Sequence, residues 1–405
     1  MALLFPFCAV RPHPRAAAAV AAVPYDVVNT EEARALAAGN PLSFLHVSRA
    51  EIDLPADTDP HSGAVYELAV DNYDRLKQDA PMLAEEAPSV YAYRLRANGH
   101  EQIGIAACYS IDEYERDVIK KHERTRRDKE DDRTRHMVDL RAQTGPVFLV
   151  YRADPAIDAL VATVVASPAL YDFTAVDGVQ HAVWRVGARE MPSMLERFAA
   201  IPSLYIADGH HRAASAARAR RELRERSGSA GECDTCLAVA FPDSQVRILP
   251  YNRVVRDLGG MTSASLLRAL GERVTIGKGP AVPQRRGDVS MFLDGEWHML
   301  TFASPPPGRP PADGLDVSRL QDEVLTPVLG IGDVRSDARI DFVGGIRGTG
   351  ALEALVRSGR AAVAFSMHPT SVDDLMSIAD AGGIMPPKST WFEPKLRDGL
   401  LIHEI

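Results

Sequence analysis

The sequence has few cysteines, no long apolar run and no excess of basic residues, and each absence excludes a class of protein. Four cysteines in 405 residues are too few for a disulfide framework, and so small a number is typical of a reducing compartment. No stretch approaches the ~18 uninterrupted apolar residues of a membrane-spanning helix, so we expect no membrane partner. With 46 basic and 55 acidic residues, the net charge of -9 argues against a nucleic-acid partner.

Several common motifs are also missing. The opening MALLFPFCAVRPHPR has a proline inside its apolar part and no leading positive charge, so it is a poor signal peptide and predicts a cytoplasmic protein. No G-x-x-x-x-G-K-[ST] motif occurs, and GGIRGTG at residues 344–350 lacks the G-x-G-x-x-G spacing. Cys233 and Cys236 form one C-x-x-C, which without a second pair or histidines at zinc spacing indicates a structural role.

The alternation of strand-like and helix-like segments predicts the α/β class, with α+β mixing. A chain of 405 residues exceeds what one core usually carries. We therefore divide it into residues 1–256 and a C-terminal region of residues 257–405. The sequence does not specify an oligomeric state.

Local patterns predict individual elements. Residues 44–48, 89–95 and 103–109 are predicted strands, as is the single segment 246–255. Ser110 and Glu113 have the spacing of a capping box and predict a helix over residues 111–125. Asp294 and Gly295 suit the type I′ turn of a hairpin.

The character of the chain changes at residue 208, where an apolar strand ends. Residues 213–226 are rich in helix formers, so DGHHR at residues 208–212 forms the corner between strand and helix. The first amides of a helix lack internal acceptors and the helix dipole adds partial positive charge, so an anion is favoured there. Gly209 allows close approach of a ligand, and Arg212 offers a fork for phosphate oxygens.

Two other interpretations of this corner stay open. Asp208 could cap the helix while His210 and His211 form a polar surface pair. A metal site is the other option, although two adjacent histidines without spaced partners are weak grounds for one.

Two further segments carry candidate residues. The predicted helix over residues 111–125 places His122 near its buried edge with Glu123 beside it, among basic residues that attract anions; a solvated helix end is the alternative. Near the C-terminus, a proline pair precedes Lys388, Ser389 and Thr390, a cation and two hydroxyls suited to a carboxylate or phosphate. An ordinary proline-bounded loop is the alternative there.

These three segments carry a family resemblance. A strand followed by DGHHR and an alanine-rich helix resembles the phosphate-binding corner of the ParB/sulfiredoxin-like superfamily, and the DGHHR form itself resembles free serine kinases of that group. IKKHERT and MPPKSTWFEPK resemble the HE and PKTT segments of these kinases, in the same order. Together with PFCAVRP, PYDVV and NPLSFLHVSR, they resemble a bacterial domain-of-unknown-function family grouped with the kinases as SerK-like.

The resemblance implies roles for specific residues. Glu123 would be the catalytic base, with His122 beside it at the substrate, and the PPKST segment of residues 386–390 would contact the amino-acid substrate or its phosphate. Residues 208–212 would hold the phosphates of a nucleotide. Phe392 stands where the kinases have a histidine, which puts the substrate contacts in doubt.

We therefore predict a small-molecule phosphotransferase in which ATP or ADP, with Mg²⁺, phosphorylates free L-serine or a similar hydroxy compound. Glu123 would accept the hydroxyl proton, and Asp208 would orient the metal or phosphate. Two alternatives remain, which are a phosphatase of phosphoserine-like compounds and a nucleotide-binding regulatory module without turnover.

Overall fold

The structure, a computed structural model, describes residues 3–79, 82–304 and 308–405. These residues contain both helices and sheets, which confirms the predicted mixed α/β class. The chain packs as two units, one of Met1–Val246 with Pro394–Ile405 and one of Arg247–Glu393. The division of the chain into the regions 1–256 and 257–405, made from the sequence, remains a prediction. Among the described residues, no helix is both long enough and apolar enough to cross a membrane.

The first unit combines helices and strands along its whole length. Its helices are α1 (Ala17–Val20), α2 (Thr30–Ala37), α3 (Leu45–Ser48), α4 (Gly63–Asp79), α5 (Ile111–Glu115), α6 (Arg127–Leu140), α7 (Pro155–Val165), α8 (Met191–Ala199) and α9 (His210–Ser227). Its strands are β1 (Leu4–Phe5), β2 (Val10–Pro12), β3 (Met82–Ala84), β4 (Tyr91–Ala97), β5 (His100–Ser110), β6 (Ile119–Lys120), β7 (Ala142–Gln143), β8 (Val147–Tyr151), β9 (Tyr171–Thr174), β10 (Gln180–Arg185), β11 (Leu204–Asp208) and β12 (Thr235–Pro242).

A mixed sheet organises this unit, with the strand order β6-β11-β8-β12-β5-β4-β10-β9 and with β1 paired to β5. The β6 and β11 strands are parallel, with Ile119 opposite Leu204, and β8 and β12 are parallel as well. Parallel neighbours end at the same edge of a sheet. The segments that follow β6 and β11 therefore emerge side by side.

Apolar side chains of the central strands form the main core. Ile105, Leu149 and Ile206 are at most 2% exposed and share a cluster with Met194 and Phe198 of α8. Full burial of such a side chain stabilises the fold by about 1.5 to 3 kcal/mol. A second cluster joins α6 to the alanine-rich face of α9 and fixes where α9 lies.

The second unit is built on an antiparallel sheet of order β15-β17-β16-β19-β14-β18. Its strands are β13 (Ile248–Leu249), β14 (Tyr251–Val255), β15 (Thr275–Lys278), β16 (Asp288–Leu293), β17 (Glu296–Thr301), β18 (Ile340–Gly344), β19 (Val363–Ser366) and β20 (Trp391–Phe392). Its helices are α10 (Ser263–Gly271), α11 (Asp316–Leu320), α12 (Gly348–Arg357) and α13 (Val372–Asp380). The last strand, β21 (His403–Glu404), belongs to the first unit and pairs with β7. Asp294 and Gly295 both have positive φ and form the predicted hairpin turn.

The predicted helix over residues 111–125 is wrong beyond α5. Ser110 accepts a hydrogen bond from the Glu113 amide and starts the helix, but Asp117 has a left-handed backbone with φ of 61°. The β-branched Ile119 that follows is buried and joins the sheet as β6, which suits such a side chain better than an exposed helix end. His122 and Glu123 consequently lie in a loop after an edge strand.

Two strand predictions are also corrected. Residues 45–48 form the helix α3, because the Ser43 hydroxyl accepts a hydrogen bond from the Leu45 amide at 3.3 Å and favours a helix start. The segment of residues 246–255 is divided into β13 and β14 at Pro250, which has no N–H for a continuous ladder.

Candidate functional site

A single glycine makes the corner between β11 and α9. Gly209 has φ of 91°, and a Cβ at this position would lie 3.0 Å from Cζ of Arg212. Both the backbone conformation and the lack of space therefore require glycine. The helix starts at His210, earlier than predicted, and it has Gly209 as its N-cap with no side-chain cap. The interpretation in which Asp208 caps α9 is therefore wrong.

Asp208 lies between two cations at the end of β11. Its Oδ2 accepts hydrogen bonds from Nη2 of Arg212 at 3.1 Å and from Nζ of Lys395 at 3.4 Å. Burial by itself raises the pKa of Asp208, but the charges of Lys395 and Arg212 outweigh burial and hold the pKa well below its usual range. The carboxylate is therefore ionised at neutral pH.

Arg212 is buried behind this corner. Its side chain is 5% exposed, donates to the Pro146 carbonyl as well as to Asp208, and lies 4.0 Å from the carboxylate of Asp26. Burial disfavours the charge, but Asp26 and Asp208 together raise the pKa of the guanidinium. The guanidinium of Arg212 thus positions Asp208. The contact of Arg212 with a phosphate group remains a prediction.

The loop after β6 brings His122 against the start of α9. The His122 amide donates a long hydrogen bond of 3.5 Å to Nε2 of His210, and the two ring centroids are 4.4 Å apart at an interplanar angle of 89°. Burial lowers the pKa of His122 to about 4 and holds the pKa of His210 well below its usual value. Both imidazoles are therefore neutral at pH 7.

Glu123 lies beside these two histidines. One potential metal-ligand atom from each of His122, Glu123 and His210 lies within 4.8 Å of the other two. His211 holds the same loop, because its Nε2 accepts a hydrogen bond from the Arg126 amide at 3.0 Å. The structure thus brings the HE and DGHHR segments together, while the catalytic and binding roles assigned to their residues stay predictions.

The PPKST segment lies in the second unit. Lys388 has φ of 58°, in the left-handed region, and its Nζ lies 5.3 Å from the centroid of the Tyr251 ring. Ser389 is buried, and its hydroxyl donates to the Pro386 carbonyl at 2.6 Å. Thr390 is partly buried. The substrate contacts predicted for these residues stay predictions.

Two residues at the corner were not predicted from the sequence. Lys395 contacts Asp208, and Asp398, which is 3% exposed, influences the charge of Arg212. Both belong to residues 394–405, which return to the first unit after the whole of the second unit. The sequence signal was weak: both stand in WFEPKLRD, directly after the PPKST motif.

Residues 4–318 match the family described as "Protein of unknown function (DUF1015)". This match covers more than half of the chain, and the chain therefore belongs to that family. No curated protein matches the sequence. The wider grouping with the ParB/sulfiredoxin-like superfamily stays a prediction.

Several solved structures are similar to this chain at low identity. A free serine kinase variant in complex with ADP is 11% identical, with 72% of this chain and 92% of that chain covered and a TM-score of 0.38. A conserved hypothetical protein from Pyrococcus furiosus is 11% identical, with coverages of 73% and 94% and a TM-score of 0.37. SbnI with a C-terminal truncation, from Staphylococcus aureus, is 10% identical, with coverages of 72% and 85% and a TM-score of 0.39. Similarity at this level does not establish an activity.

We predict that Gly209→Ala lowers the free energy of unfolding more than Gly228→Ala does at the other end of α9. Both glycines have positive φ, so alanine costs about 1 to 2 kcal/mol at either position. A Cβ at Gly228 meets nothing within 4 Å, whereas a Cβ at Gly209 crowds Arg212. Urea unfolding of both variants measures the difference. Equal losses would contradict the close approach at Gly209.

We also predict a pH-dependent effect of Asp398→Asn. Burial raises the pKa of Asp398 from its ordinary 3.8 to about 7, so the folded state binds this proton more tightly than the unfolded chain does. The folded protein therefore loses stability as pH rises from about 4 to about 7, and asparagine copies the protonated form. We expect the variant to match the parent near pH 4 and to exceed its free energy of unfolding at pH 8. Denaturation at both pH values tests this, and a pH-independent difference contradicts it.

Proposed function

We propose that this chain is a small-molecule phosphotransferase that binds ATP or ADP at the start of α9 and phosphorylates the hydroxyl of free L-serine or a similar compound. One observation carries the proposal: Glu123 and the uncapped end of α9 lie together where two parallel strands end. Phosphoryl transfer to a hydroxyl requires an anion site and a proton acceptor at one place. The proposal includes the ParB/sulfiredoxin-like grouping and a cytoplasmic location.

The phosphate site in this proposal uses backbone and charge. The amides of His210, His211 and Arg212 stand in the first turn of α9, where no side chain caps the helix, and the helix dipole favours an anion there. Gly209 has no side chain to block a ligand. The ammonium group of Lys395 adds a positive charge next to Asp208.

Asp208 is the proposed magnesium ligand. It fits, because Mg²⁺ in nucleotide sites takes one or two carboxylates together with the phosphates of the substrate. The carboxylate is ionised, and both of its ion pairs are made through Oδ2, so Oδ1 is the proposed ligand atom. When bound, the ion would neutralise charge on the phosphates.

Glu123 is the proposed proton acceptor for the hydroxyl of the substrate, with the buried ring of His122 forming one wall beside it. A carboxylate within hydrogen-bond reach of the hydroxyl is suited to that task.

The proposed contacts of the acceptor's own anionic group remain Lys388, Ser389 and Thr390, because a cation and two hydroxyls suit a carboxylate. The Ser389 hydroxyl donates to the Pro386 carbonyl, so it has to release this hydrogen bond before it can donate to a carboxylate.

The test of the proposal is direct product detection. The purified protein is incubated with ATP and with ADP separately, against a panel of amino acids and hydroxy acids, and phosphorylated products are identified by mass. A phosphorylated hydroxy compound formed only with a nucleotide supports the kinase. Release of phosphate from phosphoserine without a nucleotide supports the phosphatase, and tight nucleotide binding without any product supports the regulatory module.

We predict that Asp208→Asn weakens binding of the magnesium–nucleotide complex. The variant keeps the size of the side chain but removes the charge, and hydrogen bonds to charged groups are worth about 1.5 to 3 kcal/mol, which is about 10-fold to 150-fold in affinity. Calorimetry with and without magnesium measures the loss, which should be largest with the ion. Asp131→Asn, which breaks only the ion pair of Asp131 with Arg218, serves as the control. An unchanged affinity in folded Asp208→Asn would remove the carboxylate from the site.

We predict that Glu123→Gln lowers kcat by about 10² to 10⁴ and changes KM of the acceptor little, because proton transfer is expressed in the transition state. Steady-state kinetics with the acceptor found above measure both constants. Glu115→Gln is the matched control, since Glu115 is an exposed glutamate of α5 that lies 3.9 Å from Arg220. Normal turnover by the folded Glu123→Gln protein would show that Glu123 is not the proton acceptor of the reaction.

A further inference from the structure

The side chains of His122, Glu123 and His210 form a cluster whose chemistry differs from that of the phosphate corner. One nitrogen or oxygen atom from each lies within 4.8 Å of the other two. Two of these residues come from the loop after β6 and the third begins α9. The cluster therefore depends on the sheet pairing of β6 with β11.

A second, independent observation concerns the buried atoms of this cluster. His122 is 2% exposed, and its Nδ1 has no hydrogen-bond partner among the residues that the structure describes. A buried polar atom left without a partner costs about 1 to 3 kcal/mol, so an isolated nitrogen in a packed position needs a reason.

We propose that His122, Glu123 and His210 bind one divalent transition-metal ion of the zinc class. Two imidazole nitrogens and one carboxylate oxygen are one of the ligand sets of catalytic zinc sites, in which a fourth position stays open for water or a substrate oxygen. Ligand atoms around a tetrahedral ion are about 3.3 Å apart, so the three side chains close by up to about 1.5 Å when the ion binds.

This ion is distinct from the magnesium assigned to Asp208. Magnesium prefers oxygen ligands in octahedral geometry, whereas imidazole suits zinc, copper, iron and nickel. The inference goes beyond the proposed phosphotransfer, because metal binding to these three side chains requires no nucleotide. It is compatible with a proton-accepting Glu123, since a carboxylate that binds the ion through one oxygen retains the other.

The experiment uses the full chain, freed of metal with a chelator and titrated with Co²⁺ in the absence of nucleotide. Visible absorption of the bound cobalt reports its coordination number, and displacement by Zn²⁺ gives the relative affinity. We expect one cobalt per chain with the strong visible bands of a four-coordinate or five-coordinate ion. If the parent protein does not form a one-to-one complex with cobalt, this result alone overturns the proposal, and no variant is needed.

Variants then locate the ion. His122→Ala and His210→Ala should each weaken cobalt binding by at least about 100-fold, because even groups that only orient a ligand contribute 10-fold to 100-fold. His100→Ala is the control, since His100 is a partly exposed histidine at the start of β5 and lies outside the cluster. If either alanine variant does not fold, as judged by circular dichroism, the partly buried Glu123→Gln replaces it, with the same expected loss.

Two results would overturn the assignment. One is a His100→Ala protein that loses as much affinity as the cluster variants. The other is a cobalt complex that is lost in Asp208→Asn and retained in His122→Ala, which would place the ion at the phosphate corner. Failure of the phosphotransferase proposal looks different, because cobalt then binds normally while no product forms from any acceptor.

Discussion

The candidate site depends on the parallel pairing of β6 with β11. This pairing is short, with Leu204 opposite Ile119 and Tyr205 opposite Lys120. Because the two strands run in the same direction, the chain leaves both at one edge of the sheet, and His122 reaches His210 across that edge. An antiparallel partner in the position of β6 would send the loop to the opposite edge. Buried Ile119 therefore supports the site as much as any polar residue does, because it fixes the register of β6.

The edge is also maintained by residues far away in the sequence. Lys395 and Asp398 belong to residues 394–405, the segment that returns to the first unit. Asp398 lies so close to Gly145 that a Cβ atom on residue 145 would be 2.5 Å from Oδ1 of Asp398. The charge of Arg212 is stabilised by acidic groups of three separate segments, including Asp26. Arrangements of this kind hold a buried guanidinium in one orientation, since each lost partner leaves charge uncompensated.

The sequence predicted the strong local patterns well. The strand–glycine–helix corner at Asp208, the hairpin at residues 294–295 and the mixed class all rest on periodicity, turn chemistry and helix propensity, which act over a few residues. The helix over residues 111–125 failed because its apolar spacing fits a helix, whereas Ile119 gains more by joining an existing sheet edge. A partner strand 85 residues later, at Leu204, is not visible in a local window.

The same limit explains which parts of the site were found. DGHHR is continuous, so its residues could be recognised together, and the HE segment was recognised through the resemblance. Lys395 was not assigned, because it lies outside the PPKST motif that singled out Lys388, the other lysine of the tail. Only the fold shows that Lys395 lies 3.4 Å from Asp208.

Burial has opposite consequences for neighbouring residues of this corner, and the difference lies in their partners. His122 and His210 are buried against each other without an opposing charge strong enough to protonate them, so they are neutral. Asp208 and Arg212 are held in the same corner with opposite charges at hydrogen-bond distance, so both are ionised. Only Gly209 separates Asp208 from His210 in the chain. One strand end thus presents neutral imidazole nitrogens and an ionised carboxylate within a few residues, and this difference in ligand chemistry separates the two cation sites that we propose.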